Sequence, residues 1–131
     1  MIGIDTNIFV RFLVDDDPTQ SSVARRFLSA RTGDEPAYVS AVVVAETVWV
    51  LTRGFKYPLA TVTKLLHDIL EADGLIIEHT EELDALFSSP EPRADLADYL
   101  IAWAAKRAGC QFTLTFDKNA ASRVPGMELL A

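Results

Sequence analysis

The chain has 131 residues, half of them hydrophobic, and a formal net charge of -7. That length and apolar content suit one ordinary domain with a single core, spanning 1–131 without linker or repeat. The acidic balance argues against a broadly basic nucleic-acid-binding surface, though not against local basic patches.

Each apolar run is broken by a polar group well short of the roughly 20 residues that a bilayer span needs. The start, "MIGIDTNIFV", carries neither a basic leader nor a cleavage-site pattern, so a cytoplasmic protein without membrane contact is expected. Cys110 is the only cysteine, which excludes an intramolecular disulfide and a cysteine-based zinc site. Its setting, "GCQFTLTF", reads as a small core position. His67 and His79 stand alone and read as helix-surface or core-edge histidines rather than ligands.

In chain order, "MIGID" has the pattern of a buried strand ending in a charge, and Thr6 or Asn7 opens a helix from about Ile8 to Leu13. The run Asp15, Asp16, Asp17 before Pro18 reads as a solvated turn. "TQSSVARRFLSA" repeats apolar residues at helical spacing. "AYVS" is strand-like and Ser40 is the N-cap of a helix that carries Glu46 and ends near Gly54. An amphipathic helix follows Pro58 and closes at Gly74. "LIIEH" is a third strand, and Thr80 starts a short helix to Ser88.

"ADLADYLIAWAAKRAG" has acids in its first turns, Lys106 and Arg107 in its last, and Gly109 beyond, all in agreement with the helix dipole. "CQFTLTF" reads as a buried strand before Asp117, and "MELL" as a final short one. The alternation predicts an α/β fold, a central parallel sheet flanked by helices on both faces.

Four carboxylates share comparable positions in this pattern. Asp5 ends the first strand, Glu46 stands in the apolar run "VVVAETVWV", Asp98 lies early in the long helix one turn after Asp95, and Asp117 follows "TLTF". In open α/β sheets, ligands collect beyond the carboxyl ends of the strands, which is where these groups are expected to meet. Two like charges about 4 Å apart repel by about 4 kcal/mol at an effective dielectric near 20, so such a cluster calls for cations. Oxygen donors without His or Cys select Mg²⁺ or Mn²⁺. On this reading a metal stabilises Glu46, whose charge would otherwise be costly in a core. Structural roles compete: helix capping for Asp5, Asp95 and Asp117, and a bridge from Glu46 to Arg11 or Arg53.

The blocks "IGIDTNIFVRFLVDDDP", "YVSAVVVAETVWVL", "RADLADYLIAWAAKRAGC" and "TLTFDKNAA" together resemble the PIN-domain ribonucleases, in particular the VapC toxins of bacterial VapBC toxin–antitoxin pairs. The match runs in order through the whole chain. The resemblance implies that Asp5, Glu46, Asp98 and Asp117 are the family's acidic positions and metal ligands, with Asp95 accessory. Thr6, Asn7 and Thr115 match the polar residues that support them. Arg93, where many relatives carry glycine, and Ala120 and Ala121, where many carry an aromatic residue, depart from the pattern at the rim.

The same resemblance implies Mg²⁺- or Mn²⁺-dependent endonucleolytic cleavage of RNA. Arg11, Arg25, Arg26, Arg93 and Lys118 are the candidate RNA contacts at the rim. It further implies a VapB-type antitoxin whose basic C-terminal segment reaches the acids, and a homodimer. Two rival readings are a non-catalytic module holding a basic peptide in an acidic pocket and a phosphatase using Asp5 as nucleophile. The second is disfavoured by Asn7, which stands where such enzymes want a second acid.

Overall fold

The computed structural model describes residues 1–131. Seven helices and five short strands alternate along the chain, and they fall into two compact units, Met1–Ser89 and Pro90–Ala131. No helix is long and apolar enough to cross a membrane.

The first unit runs β1 (Ile2–Gly3), α1 (Thr6–Leu13), α2 (Pro18–Ser29), β2 (Ala37–Val39), α3 (Ala41–Trp49), α4 (Leu59–Ile69), β3 (Leu75–Ile77) and α5 (Thr80–Ser88). Its three strands pair in parallel in the order β1-β2-β3, with Ile2 opposite Ala37 and Ala37 opposite Leu75. Phe9, Val39, Val44, Leu51, Val62 and Leu83 are its fully buried side chains of greatest volume. The second unit runs α6 (Leu96–Arg107), β4 (Thr113–Thr115), α7 (Lys118–Arg123) and β5 (Met127–Leu129), with β4 and β5 parallel. Tyr99, Leu100, Ala120, Val124 and Met127 are buried in it.

The α/β class and the parallel pairing agree with the sequence. The first unit holds a three-stranded parallel ladder and the second a two-stranded one. With strands of two or three residues, each ladder is short, and residues meant for a doubly covered strand remain accessible. Ile2 in β1, Leu114 in β4 and Phe116 just after it are 42%, 51% and 73% exposed. Cys110, just past α6, is exposed rather than a core residue.

Helix starts follow local chemistry. Asp5, Asp17, Ser40 and Asp117 each accept a hydrogen bond from the backbone N–H three residues on, which satisfies an otherwise orphaned donor at the N-termini of α1, α2, α3 and α7. The acidic turn before α2 is thus organised rather than merely solvated. Asp17 caps α2, Asp16 pairs with Arg11 at 2.9 Å and Asp15 pairs with Arg25 at 3.6 Å. At the turn into β3, Gly74 has φ +76°, and a Cβ there would lie 2.6 Å from the backbone carbonyl of Arg31. Only glycine fits such a position without displacement.

Candidate active site

Helix α3 presents two opposed faces. Val43, Val44 and Thr47 are buried with Leu51 beyond them, while Val42, Glu46 and Trp49 face outward. The sequence predicts Glu46 inside a hydrophobic wall, and this expectation is corrected: the 3.6-residue period turns the carboxylate to the accessible side. Desolvation is therefore not what Glu46 must offset. Its Oε1 instead accepts a hydrogen bond of 2.7 Å from the hydroxyl of Thr6, forty residues earlier, which ties the first turn of α1 to α3. It forms no bridge with Arg11 or Arg53.

Asp5 stands one residue before Thr6, exposed, and its Oδ1 accepts from Ile8 N at 3.0 Å. Capping occupies one carboxylate oxygen and fixes the rotamer, so Oδ2 remains available to a ligand. Asp5 and the exposed Asn7 also line a pocket of about 590 Å³ bounded by β1, α1 and α2, with Ile8, Val23 and Phe27 on its walls.

In the second unit, Asp95 occupies the N-cap position of α6 without a side-chain cap hydrogen bond, and Asp98 lies in the first turn. Asp98 is half-buried, and its carboxyl is held above the usual carboxylate range, first by burial and then by the negative charges of Asp95 and Asp117. Asp117 is oriented from both sides. Its backbone N–H donates to Thr115 Oγ1 at 3.0 Å, and its Oδ1 accepts from Ala120 N at 3.0 Å. Thr115 thus acts on the backbone of Asp117, not on its carboxylate.

The candidate cations at the rim separate. Arg11 is engaged within its own hairpin, its Nη1 with both oxygens of Asp16 and its Nε with Gln20 at 2.8 Å, which clamps α1 to the start of α2. Arg25 reaches Asp15 and the carbonyl of Phe12. Arg26 and Lys118 are exposed, and Lys118 directly follows Asp117 at the start of α7. Arg93 is half-buried shortly before α6. Sequence reasoning missed two features: the exposure of Trp49 beside Glu46, and the hydrogen bond between His67 Nε2 and Asp84 Oδ1 at 2.8 Å that joins α4 to α5. The four-residue spacing of Trp49 from Ala45 and Arg53 was the available signal for the first; nothing local marks the second.

The model of the PIN domain family matches residues 2–126. The chain belongs to the PIN domain family. PIN domains are generally metal-dependent nucleases, and no curated protein matches the chain closely enough to refine that statement. The residues present fit a divalent cation by their chemistry. Asp95, Asp98 and Asp117 offer only hard oxygen donors, and a bound cation would offset both the burial and the neighbouring negative charges that oppose ionisation of Asp98. Within each unit no group of three His, Cys, Asp or Glu side chains is placed so as to hold a metal ion by itself. An ion held by one or two carboxylates with water and substrate oxygens completing its shell suits this PIN domain better than an all-protein site.

Proposed function

We propose that this PIN-domain protein is a Mg²⁺- or Mn²⁺-dependent endoribonuclease, and the toxin of a VapBC-type pair. The observation that carries the nuclease reading is the PIN domain match over residues 2–126, and the setting of Asp98, a carboxyl whose ionisation is opposed by its own burial and by two neighbouring acids, supports it. A structural acid seldom sits in such company, whereas a metal ligand gains from it.

When bound, the cation supplies a more acidic water and neutralises charge on the phosphoryl and leaving oxygens. In the second unit Asp98 and Asp117 would hold it, with Asp95 accessory, and the family resemblance adds Asp5 of the first unit as a ligand. Asp5 and Asp117 are pre-oriented for this because capping fixes one oxygen of each. Glu46, steadied by Thr6, would hold the metal or orient the attacking water. Asn7 and Thr115 support Asp5 and Asp117. Arg26, Arg93 and Lys118 would be the rim cations that meet the RNA backbone.

The partner reading rests on the VapC resemblance and on charge. An accessible acidic site on a chain of net charge -7 suits the basic C-terminal segment of a VapB-type antitoxin, and the toxin acts as a homodimer in the cytoplasm. The test is cleavage of a labelled RNA by the purified protein with Mg²⁺, with EDTA, and with Asp98→Asn. Cleavage that survives chelation or the substitution overturns the reading. Co-purification of a small protein encoded beside the gene, relieved of inhibition when its basic tail is cut, tests the partner separately.

A further inference from the structure

Trp49 is 63% exposed, although burying an indole is among the larger gains open to a folding chain. Its side chain has no ring or hydrogen-bond partner, and it sits three residues, or about 4.5 Å of helix rise, after Glu46 on the same accessible side of α3. Arg53 follows one turn later, also exposed and engaged in no ion pair. Between them the helix widens into a π-helical turn, Val50–Gly54, where the Thr52 hydroxyl donates to the carbonyl of Val48 at 2.7 Å. Such turns are rare and cluster at functional positions.

Charge along this stretch departs from the rest of the chain. From Thr47 to His67 there is no Asp or Glu, while Arg53, Lys56 and Lys64 all fall within it. Lys64 is drawn to Asp68 at 3.2 Å, whereas Arg53 and the exposed Lys56 are uncommitted. A free aromatic face with an exposed, unpaired arginine one turn away, on an otherwise acidic protein, matches the chemistry of an unpaired nucleotide: a base that stacks and a phosphate that needs a cation. In a two-fold contact of this patch with itself, Arg53 and Lys56 of a second copy would bring like charge together.

We infer that Trp49 is a base-stacking platform for single-stranded RNA, with Arg53 binding a neighbouring phosphate, so that the strand is led along α3 toward Glu46. This rests on the ribonuclease reading. Because a duplex keeps its bases stacked on one another, the platform selects unpaired RNA.

The experiment uses the full chain carrying Trp103→Phe, which leaves Trp49 as its one tryptophan, and Asp98→Asn to prevent turnover. Titration with a single-stranded oligoribonucleotide is expected to quench the Trp49 emission, and the same sequence in duplex form is not. In the active protein, Trp49→Ala is expected to raise KM about tenfold with kcat within twofold, Trp49→Phe to restore most of the loss, and Arg53→Ala to lower the salt dependence of binding by roughly one phosphate contact. Wild-type cleavage with KM unmoved by Trp49→Ala overturns the platform while leaving the nuclease intact. So does emission blind to RNA together with loss of a dimer in sedimentation of Trp49→Ala, which gives the indole to a second copy. Absence of any wild-type binding or cleavage fells the nuclease reading, and the platform with it.

Discussion

The hydroxyl of Thr6 lies 2.7 Å from Oε1 of Glu46, and this one contact fixes the only acid of α3 against the residue that follows Asp5. Both groups are accessible, so the bond contributes little to folding, and its value lies in the rotamer that it selects for Glu46. Thr6→Val, which keeps the shape and removes the donor, is expected to lower RNA cleavage about 10- to 100-fold with an unchanged melting temperature, and Thr6→Ser to recover it. Steady-state kinetics beside thermal melts check this. Equal activity in Thr6→Val would relieve the hydroxyl of any catalytic part.

Asp5 has two separable tasks. As a cap it is replaceable by Asn, which also accepts from Ile8 N; as a metal ligand it is not, because the amide carries no charge. Asp5→Asn is therefore expected to fold with near-native stability and to be inactive, while Asp5→Ala loses about 1 kcal/mol in addition. Urea titration of both variants separates the tasks.

The raised proton affinity of Asp98 makes a prediction about pH. In the folded chain Asp98 binds its proton more tightly than in the unfolded one, so stability falls as pH rises from the ordinary carboxylate value through the raised one, and the penalty persists above it. Asp98→Asn removes the penalty. Without metal it is expected to melt at or above the wild-type temperature at neutral pH, by up to a few degrees, with the gap closing below about pH 4. With Mg²⁺ the order narrows or reverses, because only the wild type gains from the ion. Scans at three pH values, with EDTA and with Mg²⁺, decide it; a variant less stable than wild type throughout would mark Asp98 as structural.

Gly74→Ala is expected to destabilise the first unit by about 2–4 kcal/mol, combining the left-handed backbone with overpacking on the Arg31 carbonyl. Gly33→Ala, whose Cβ would meet nothing within 4 Å, is its control. Chemical denaturation of the two gives the difference.

What the sequence determines by itself is local. The order of elements, Ser40 as the cap of α3 and the acid-rich start and basic end of α6 depend on neighbours within a turn or two, and these residues state their preferences directly. The acidic positions were equally legible, because spacing alone brings Asp95 and Asp98 onto one helix. Only the tertiary structure decided that Thr6 meets Glu46 across forty residues, that Asp117 bears on Asp98, and that Arg11 is spent on Asp16 and Gln20. The run around Glu46 shows the reason most clearly. Its composition suggests a core on every side, yet which third of a helix is covered depends on where its partners lie, and Glu46 and Trp49 fall on the side that they leave open. Such a choice is made by packing between distant segments, and no window of sequence contains both partners.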